Sequence, residues 1–134
     1  METSINHYAV IVSAFANLIL GALWYSPLLF FNAWKKENQL TDDQLKTLNP
    51  AKVYGLSFLL SVCISYNMAF FLADGQTDLA WGTTAGFLTG FGFAGLIFAV
   101  VALFEMRSVK YIMINGGYIT LYFTIIGAIL GAWK

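Results

Sequence analysis

The chain has 134 residues, of which 59% are hydrophobic and only 10% are charged. Soluble domains carry about 25% charged residues, so this chain has too little polar surface to cover a water-facing globule. Seven Lys and Arg balance seven Asp and Glu, and the clustered cations that nucleic-acid binding requires are missing. The composition therefore predicts an integral membrane protein whose partner is the lipid bilayer, with no nucleic-acid partner.

Four segments are apolar over the length that a membrane-spanning helix needs, which is about 20 residues for roughly 30 Å of hydrocarbon. They lie at about residues 6–26, 52–73, 79–104 and 111–133, and a polar loop occupies 35–50. None alternates apolar and polar residues as the strands of a membrane barrel must. The sequence thus predicts one all-α transmembrane domain, residues 1–134: a bundle of four transmembrane helices with a short cytoplasmic or interfacial helix between spans 1 and 2.

The first uncharged run, 3–34, is too long for one span, and Pro27 lies inside it. A proline loses the backbone hydrogen bond to the residue four positions earlier, and its ring crowds that turn. We therefore expect the first helix to end or kink here, with residues 28–34 turning along the interface. The residues of this interface motif are Trp24, Tyr25, Ser26 and Pro27. The motif is either a boundary that sets topology or a docking surface for a partner.

The polar loop contains signals for helix ends. Thr41 and Gln44 have the spacing of a capping box, and Asn49 followed by Pro50 is typical of the start of a helix. Asp78 is a candidate N-cap for the third span. These signals predict where the loop helix, span 2 and span 3 begin.

Loop charges predict the orientation, because Lys and Arg near span ends are retained on the cytoplasmic side. Six of the seven cations lie in the first and third loops, and one lies at the C-terminal end: Lys35, Lys36, Lys46, Lys52, Arg107 and Lys110 against Lys134. Both loops are therefore expected inside, and both termini and the turn at 74–78 outside. The first residues lack the cations of a signal peptide, so the first span is expected to stay in the mature protein.

Small residues recur at every fourth position of the third span, namely Gly82, Gly86, Gly90 and Ala94. Gly127 and Gly131 have the same spacing in the fourth span, as do Ser57, Ser61 and Ser65 in the second. In lipid, such residues mark places where helix backbones approach closely. The pattern predicts helix packing, either within one chain or between subunits.

Polar side chains share faces of the spans, and the candidates for a polar core are Asn17, Tyr66, Asn67, Asn115, Tyr118 and Tyr122. An amide in hydrocarbon is costly unless it is paired, so Asn17 and Asn115 are expected to face the bundle interior. Two interpretations stay open. The polar groups either join helices by hydrogen bonds or line a path for a small solute.

Motifs for catalysis are missing from the sequence, which has no HExxH, no GxSxG and no phosphate-binding glycine loop. His7 and Cys63 are the only residues of their types, so no internal disulfide and no cysteine-based zinc site can form. His7 is either an interfacial side chain or a group that titrates near neutral pH. We predict no enzyme activity, no catalytic residue, no metal and no cofactor.

The block Gly21-x-x-Trp24-Tyr25-Ser26-Pro27-x-x-Phe30 resembles a signature of small bacterial four-span membrane proteins of unknown function, as do the stretches at 6–10 and 33–35. The resemblance covers essentially the whole chain. It implies four helices, but it brings no substrate, cofactor or catalytic residue.

These observations lead first to a non-enzymatic protein of the bacterial cytoplasmic (inner) membrane, acting as a structural or accessory subunit or a homo-oligomer. Four helices bury little surface, and such a bundle commonly needs partners. The alternative is a small-solute or ion conduit lined by the polar faces of spans 1 and 4. A third interpretation, an enzyme acting on lipid or quinone, requires a cleft that opens to lipid beside His7 or Glu105.

Overall fold

The computed structural model describes residues 5–134, so the first residues of the uncharged run 3–34 lie outside the described part. The described part contains helices and connecting turns but no strand, and its helices are α1 (His7–Trp24), α2 (Phe31–Glu37), α3 (Asp42–Lys46), α4 (Pro50–Leu72), α5 (Leu79–Thr89), α6 (Leu96–Phe104) and α7 (Val109–Ala132). A π-helical segment, Gly90–Gly95, joins α5 to α6. In this part of the chain, α1, α4, the continuous α5–α6 span and α7 are each long and apolar enough to cross a membrane. The all-α fold with four spans is confirmed.

The first helix breaks at the interface motif. Helix α1 ends at Trp24 and α2 begins at Phe31, so Pro27 lies between two helices. The carbonyl of Leu23, which a proline four residues later cannot satisfy, accepts a hydrogen bond of 2.6 Å from the Ser26 hydroxyl. The predicted break after span 1 is confirmed, and the motif supplies its own replacement hydrogen bond.

The segment between spans 1 and 2 holds two short helices instead of the single one expected. Helix α2 follows the interface motif and ends at Glu37. Helix α3 starts at the predicted capping box. In that box the Thr41 hydroxyl accepts from the backbone of Gln44, and the Gln44 side chain accepts from the backbone of Thr41. Asn49 and Asp78 cap α4 and α5 as predicted.

Helix α7 is the centre of the bundle. It contacts α1, α4 and the α5–α6 span, and its most extensive contact is with α5. Helix α1 also packs along α4. Three helices therefore surround a common interior, α1, α4 and α7, while the α5–α6 span packs mainly on the far side of α7.

Glycines create the α5–α7 contact. An added Cβ at Gly82 would lie 2.8 Å from the Gly131 Cα, and one at Gly127 would lie 2.9 Å from the Gly86 Cα. Both separations are shorter than real Cβ contacts. The glycine lines of spans 3 and 4 thus face each other within one chain and bring the two backbones together.

The expected fourth member of the line, Ala94, is only half-buried, and Gly95 is buried in its place. The π-helical segment is the reason. A π turn has a longer repeat than an α turn, so it shifts the contact face by one position between Gly90 and Gly95. Gly95 then approaches Thr120 of α7, with the Thr120 hydroxyl oxygen 3.5 Å from where its Cβ would be.

Two side-chain-bearing residues, Gln39 and Met106, adopt left-handed backbone angles, with φ of 55° and 58°. Each follows a helix C-cap, where glycine is the usual residue, and a left-handed conformation costs other residues about 1–2 kcal/mol. We expect Gln39→Gly to raise the free energy of unfolding by about 1 kcal/mol, measured by denaturant titration in mild detergent. Gln76→Gly, at a turn position with ordinary φ, is the control and is expected to give no gain. An unchanged or lower value for Gln39→Gly would contradict the expectation.

Candidate functional site

Polar side chains from three helices meet inside the bundle. The Asn17 amide of α1 donates to the Ser61 hydroxyl of α4, and its oxygen accepts from the Tyr118 hydroxyl of α7. Ser61 in turn donates to the carbonyl of Ser57 at 2.6 Å. We call Asn17, Ser61 and Tyr118 the central polar triad. It joins all three helices that surround the interior.

A second polar contact lies closer to the interface motif. The Tyr25 hydroxyl donates to the Asn115 side-chain oxygen at 2.5 Å, and the Asn115 amide donates to the carbonyl of Tyr111 at 3.2 Å. The Tyr25 and Tyr118 rings are 5.4 Å apart. Trp24 of the same motif donates to the carbonyl of Ile114 at 2.9 Å. The end of α1 is therefore fixed against the start of α7 by two aromatic residues.

One helical turn from the triad, away from the interface motif, lie three further hydroxyls. Ser13, Ser65 and Tyr122 are each four positions from a triad residue on the same helix, and their exposed fractions are 0%, 0% and 3%. None of the three hydroxyls has a hydrogen-bond partner among residues 5–134. The interior thus continues as a polar layer of three buried hydroxyls.

An apolar layer closes the interior beyond these hydroxyls. Ala9, Val10, Ala69 and Ile126 have exposed fractions between 0% and 2% and belong to one hydrophobic cluster. They come from the same three helices as the triad. They lie nearer the end of the bundle where α1 begins, α7 ends and α4 leads into the turn at 74–78. We call these four residues the apolar seal.

The opposite side of the triad opens into a cavity of about 390 Å³. Its floor contains Asn17 and Tyr118, and its mouth contains Trp34, Leu48 and Tyr54, on the side of the polar loop. The remaining lining residues are Leu18, Gly21, Ala22, Tyr25, Val53 and Ser57. The structure therefore has a mostly apolar cavity with polar groups at its floor, open at the loop end and closed at the other end by the apolar seal.

Two predicted core residues join neither the triad nor the cavity lining, although one of them, Tyr66, is half-buried against the hydrophobic cluster. The Tyr66 hydroxyl is 2.8 Å from the His7 Nδ1 atom, near the ends of α1 and α4 that lie on the side of the turn at 74–78, away from the cavity. Asn67 is exposed, because the interior face of α4 runs through Ser65, Met68 and Leu72, and Asn67 projects away from it. Its placement in the core is wrong, and its position five residues before the helix end suits the membrane–water interface.

Sequence reasoning gave too little weight to serine. Ser61 and Ser65 were expected only as small residues for packing, yet Ser61 belongs to the triad and Ser65 to the layer beside it. The available signal was their spacing. Ser61 and Ser65 are four residues apart, as are Ser13 and Asn17 on the antiparallel helix α1. Small polar residues in register on two neighbouring helices indicate a shared polar layer.

The region beside Glu105 also forms a cleft, of about 450 Å³, on the side of the polar loop. Glu37, Asn38, Arg107 and Ser108 are among its lining residues, and Ser108 donates to Glu37 at 2.9 Å. The cleft is polar and faces the loop, so it lacks the apolar approach that a lipid substrate would need. Within residues 5–134, His, Cys, Asp and Glu form no group of three that could hold a metal ion.

Four apolar spans, three of which surround a partly polar interior, define a multi-pass α-helical membrane protein. Residues 8–131 match the family described as "Protein of unknown function (DUF1761)", and the chain belongs to this family. The resemblance noted from the interface motif is thereby confirmed at the level of a family of unknown function. No curated protein and no solved structure matches the chain.

The triad makes a testable contribution to stability. Asn17→Leu removes both of its side-chain hydrogen bonds and leaves the Tyr118 and Ser61 hydroxyls without this partner, so we expect the free energy of unfolding to fall by about 1–2 kcal/mol. Asn67→Leu makes the same change at an exposed site on α4 and is expected to have little effect. Denaturant unfolding in detergent measures both variants. Equal losses would show that the triad adds nothing specific.

Proposed function

We propose that this protein is a non-enzymatic protein of the bacterial inner membrane that binds a small uncharged solute in the cavity beside the central polar triad. The observation that carries the proposal is the shape of the interior, a cavity with Asn17 and Tyr118 at its floor that ends at the apolar seal. Binding sites are concave and mostly apolar, with a few converging polar groups. The cavity has this composition, and a structural subunit does not need it.

A solute-binding cavity is compatible with a role as an accessory subunit. A subunit of a larger membrane assembly can also hold a solute. Self-association loses one of its supports, because Gly82 and Gly86 pack against α7 of the same chain. Any homo-oligomer would need another surface, such as the lipid-facing side of the α5–α6 span.

A conduit is the second candidate, and the layer formed by Ser13, Ser65 and Tyr122 favours it. These hydroxyls extend the polar lining one turn beyond the triad, toward the outer side. A path across the membrane would additionally require the apolar seal to open. The closed seal fits a binding site that is reached from one side, so we place the conduit second.

The orientation follows from the positive charges of the first and third loops, and we propose that the cavity opens toward the cytoplasm. In a Cys63→Ala background, single cysteines at Asp43 and Gln76 are expected to react with a membrane-impermeant thiol reagent from opposite sides, Gln76 from outside in intact cells. Both positions are exposed, so unequal reactivity reports sidedness. Labelling of both sites from outside would contradict the proposed orientation.

The cavity itself is tested with a cysteine inside it. In the same background and in membrane vesicles of known orientation, Ser57→Cys is expected to react with a small methanethiosulfonate reagent from the loop side. Ser65→Cys, at 0% exposure, is the matched control and is expected to stay unreactive. An unreactive Ser57→Cys would remove the basis of the binding function. Reaction of Ser65→Cys from the outer side would instead support the conduit.

A further inference from the structure

The lining of the cavity restricts the charge of its ligand. None of the residues that line it carries a charge. A charged group placed against Asn17 and Tyr118 would lack a counter-ion, and an unpaired charge is strongly unfavourable inside a membrane. The part of the ligand that enters the cavity is therefore uncharged.

Aromatic rings form much of the wall. The Tyr25 ring lies 5.4 Å from the Tyr118 ring and 5.9 Å from the Trp34 ring, measured between centroids. Tyr54, which is 55% exposed, adds a fourth ring at the mouth. Aromatic side chains that line a cavity can pack favourably against a further ring, face to face with an offset or edge to face. The wall suits a flat ring better than a flexible chain.

Hydrogen-bonding groups at the floor restrict the ligand further. Tyr25 and Tyr118 each donate their only hydroxyl hydrogen within the chain, so their oxygens remain as acceptors. The Asn17 amide uses one of its two hydrogens for Ser61 and keeps the other. The Ser57 hydroxyl lines the same cavity. A carbonyl oxygen on a ring can accept the free amide hydrogen, and a hydroxyl on a ring can donate to the free acceptors.

The mouth is apolar and lies at the inner end of the spans. Leu48, Val53 and Tyr54 are 45%, 40% and 55% exposed, and all three line the opening. Leu48 precedes α4, while Val53 and Tyr54 belong to its first turns. An apolar tail can leave the cavity along this surface and stay in the hydrocarbon. The mouth can therefore admit a ligand from the lipid phase whose apolar tail remains in the hydrocarbon.

We propose that the cavity binds the ring of a quinone-class amphiphile, which is an uncharged flat ring with carbonyl or hydroxyl oxygens and an apolar tail. The ring contacts Tyr25, Tyr118 and Tyr54, and one ring oxygen accepts the free Asn17 amide hydrogen. This inference rests on the proposed function and names the ligand class of the same site. It concerns binding and includes no redox step.

The test uses protection of Ser57→Cys, in the Cys63→Ala background, from methanethiosulfonate. The full-length protein in nanodiscs is incubated with decylubiquinone, whose fully substituted ring does not add thiols readily. Modification is expected to slow saturably with decylubiquinone and to be unaffected by decanol or decyl sulfate at the same concentrations. Tyr54→Leu is expected to weaken the protection by about threefold to tenfold. Tyr8→Leu, at an exposed site on the other end of α1, is the matched control and is expected to change nothing.

The outcomes separate this inference from the proposed function. Equal protection by decanol overturns the ring class and leaves a site for uncharged amphiphiles. A Ser57→Cys that reacts but is not protected by decylubiquinone also overturns the ring class, while the accessible cavity stands. An unreactive Ser57→Cys overturns both proposals. Protection by decylubiquinone that Tyr54→Leu leaves unchanged shows that the ring lies elsewhere and overturns the assignment to this wall.

Discussion

Replacing Gly86 with leucine is expected to lower the free energy of unfolding by about 1–3 kcal/mol, the usual cost of overpacking. A Cβ at this position would collide with the Phe123 carbonyl and would lie 3.1 Å from the Thr124 Cα. Both atoms belong to the α7 backbone, so no side-chain rotation can relieve the collision. The two helices would have to separate along their most extensive contact.

Gly55→Leu is the matched control for this prediction. Gly55 lies in α4, nothing lies within 4 Å of an added Cβ there, and leucine has a higher helix propensity than glycine. Thermal and denaturant unfolding in the same detergent are expected to show a loss for Gly86→Leu and none for Gly55→Leu. If Gly86→Leu unfolds at the parental denaturant concentration, the α5–α7 contact is not as close as the structure has it.

Spans and helix ends could be predicted because they depend on local sequence. The length of an apolar run, the missing hydrogen bond of Pro27 and the capping side chains of Thr41, Asn49 and Asp78 each act within a few residues. Their outcome does not depend on which helices become neighbours. The family resemblance rested on the same local feature, the interface motif.

The interior was harder to predict because it depends on register between helices. Asn67 and Ser61 are both polar residues of one span, and only the packing of α4 on α1 places one outside and the other in the triad. Ala94 does not take the predicted position in the contact with α7, because a single π turn shifts the contact face of the third span by one residue. Glycine-rich sequence permits such a turn but does not specify it. The cavity likewise follows from the meeting of α1, α4 and α7, which no single span encodes.

The apolar seal gives the second large effect. Ile126→Ala is expected to lower the free energy of unfolding by about 2 kcal/mol. Isoleucine to alanine costs about 2–5 kcal/mol in water-soluble cores. The lower end applies in a bilayer, because lipid is as apolar as the core and only the lost packing contacts remain. Ile126 is 0% exposed, so it has the full set of contacts to lose.

The same substitution tests whether the seal separates the cavity from the end of the bundle that carries the turn at 74–78. Removing the Ile126 side chain enlarges the space beside Tyr122 and Ser65, so Ser65→Cys is expected to gain reactivity toward methanethiosulfonate in the Ile126→Ala background. Ile19→Ala makes the same change at a site that is 70% exposed, and it is expected to affect neither stability nor reactivity. If Ile126→Ala is as stable as Ile19→Ala and Ser65→Cys stays unreactive, the interior is not closed by this layer. The one-sided cavity would then need another barrier.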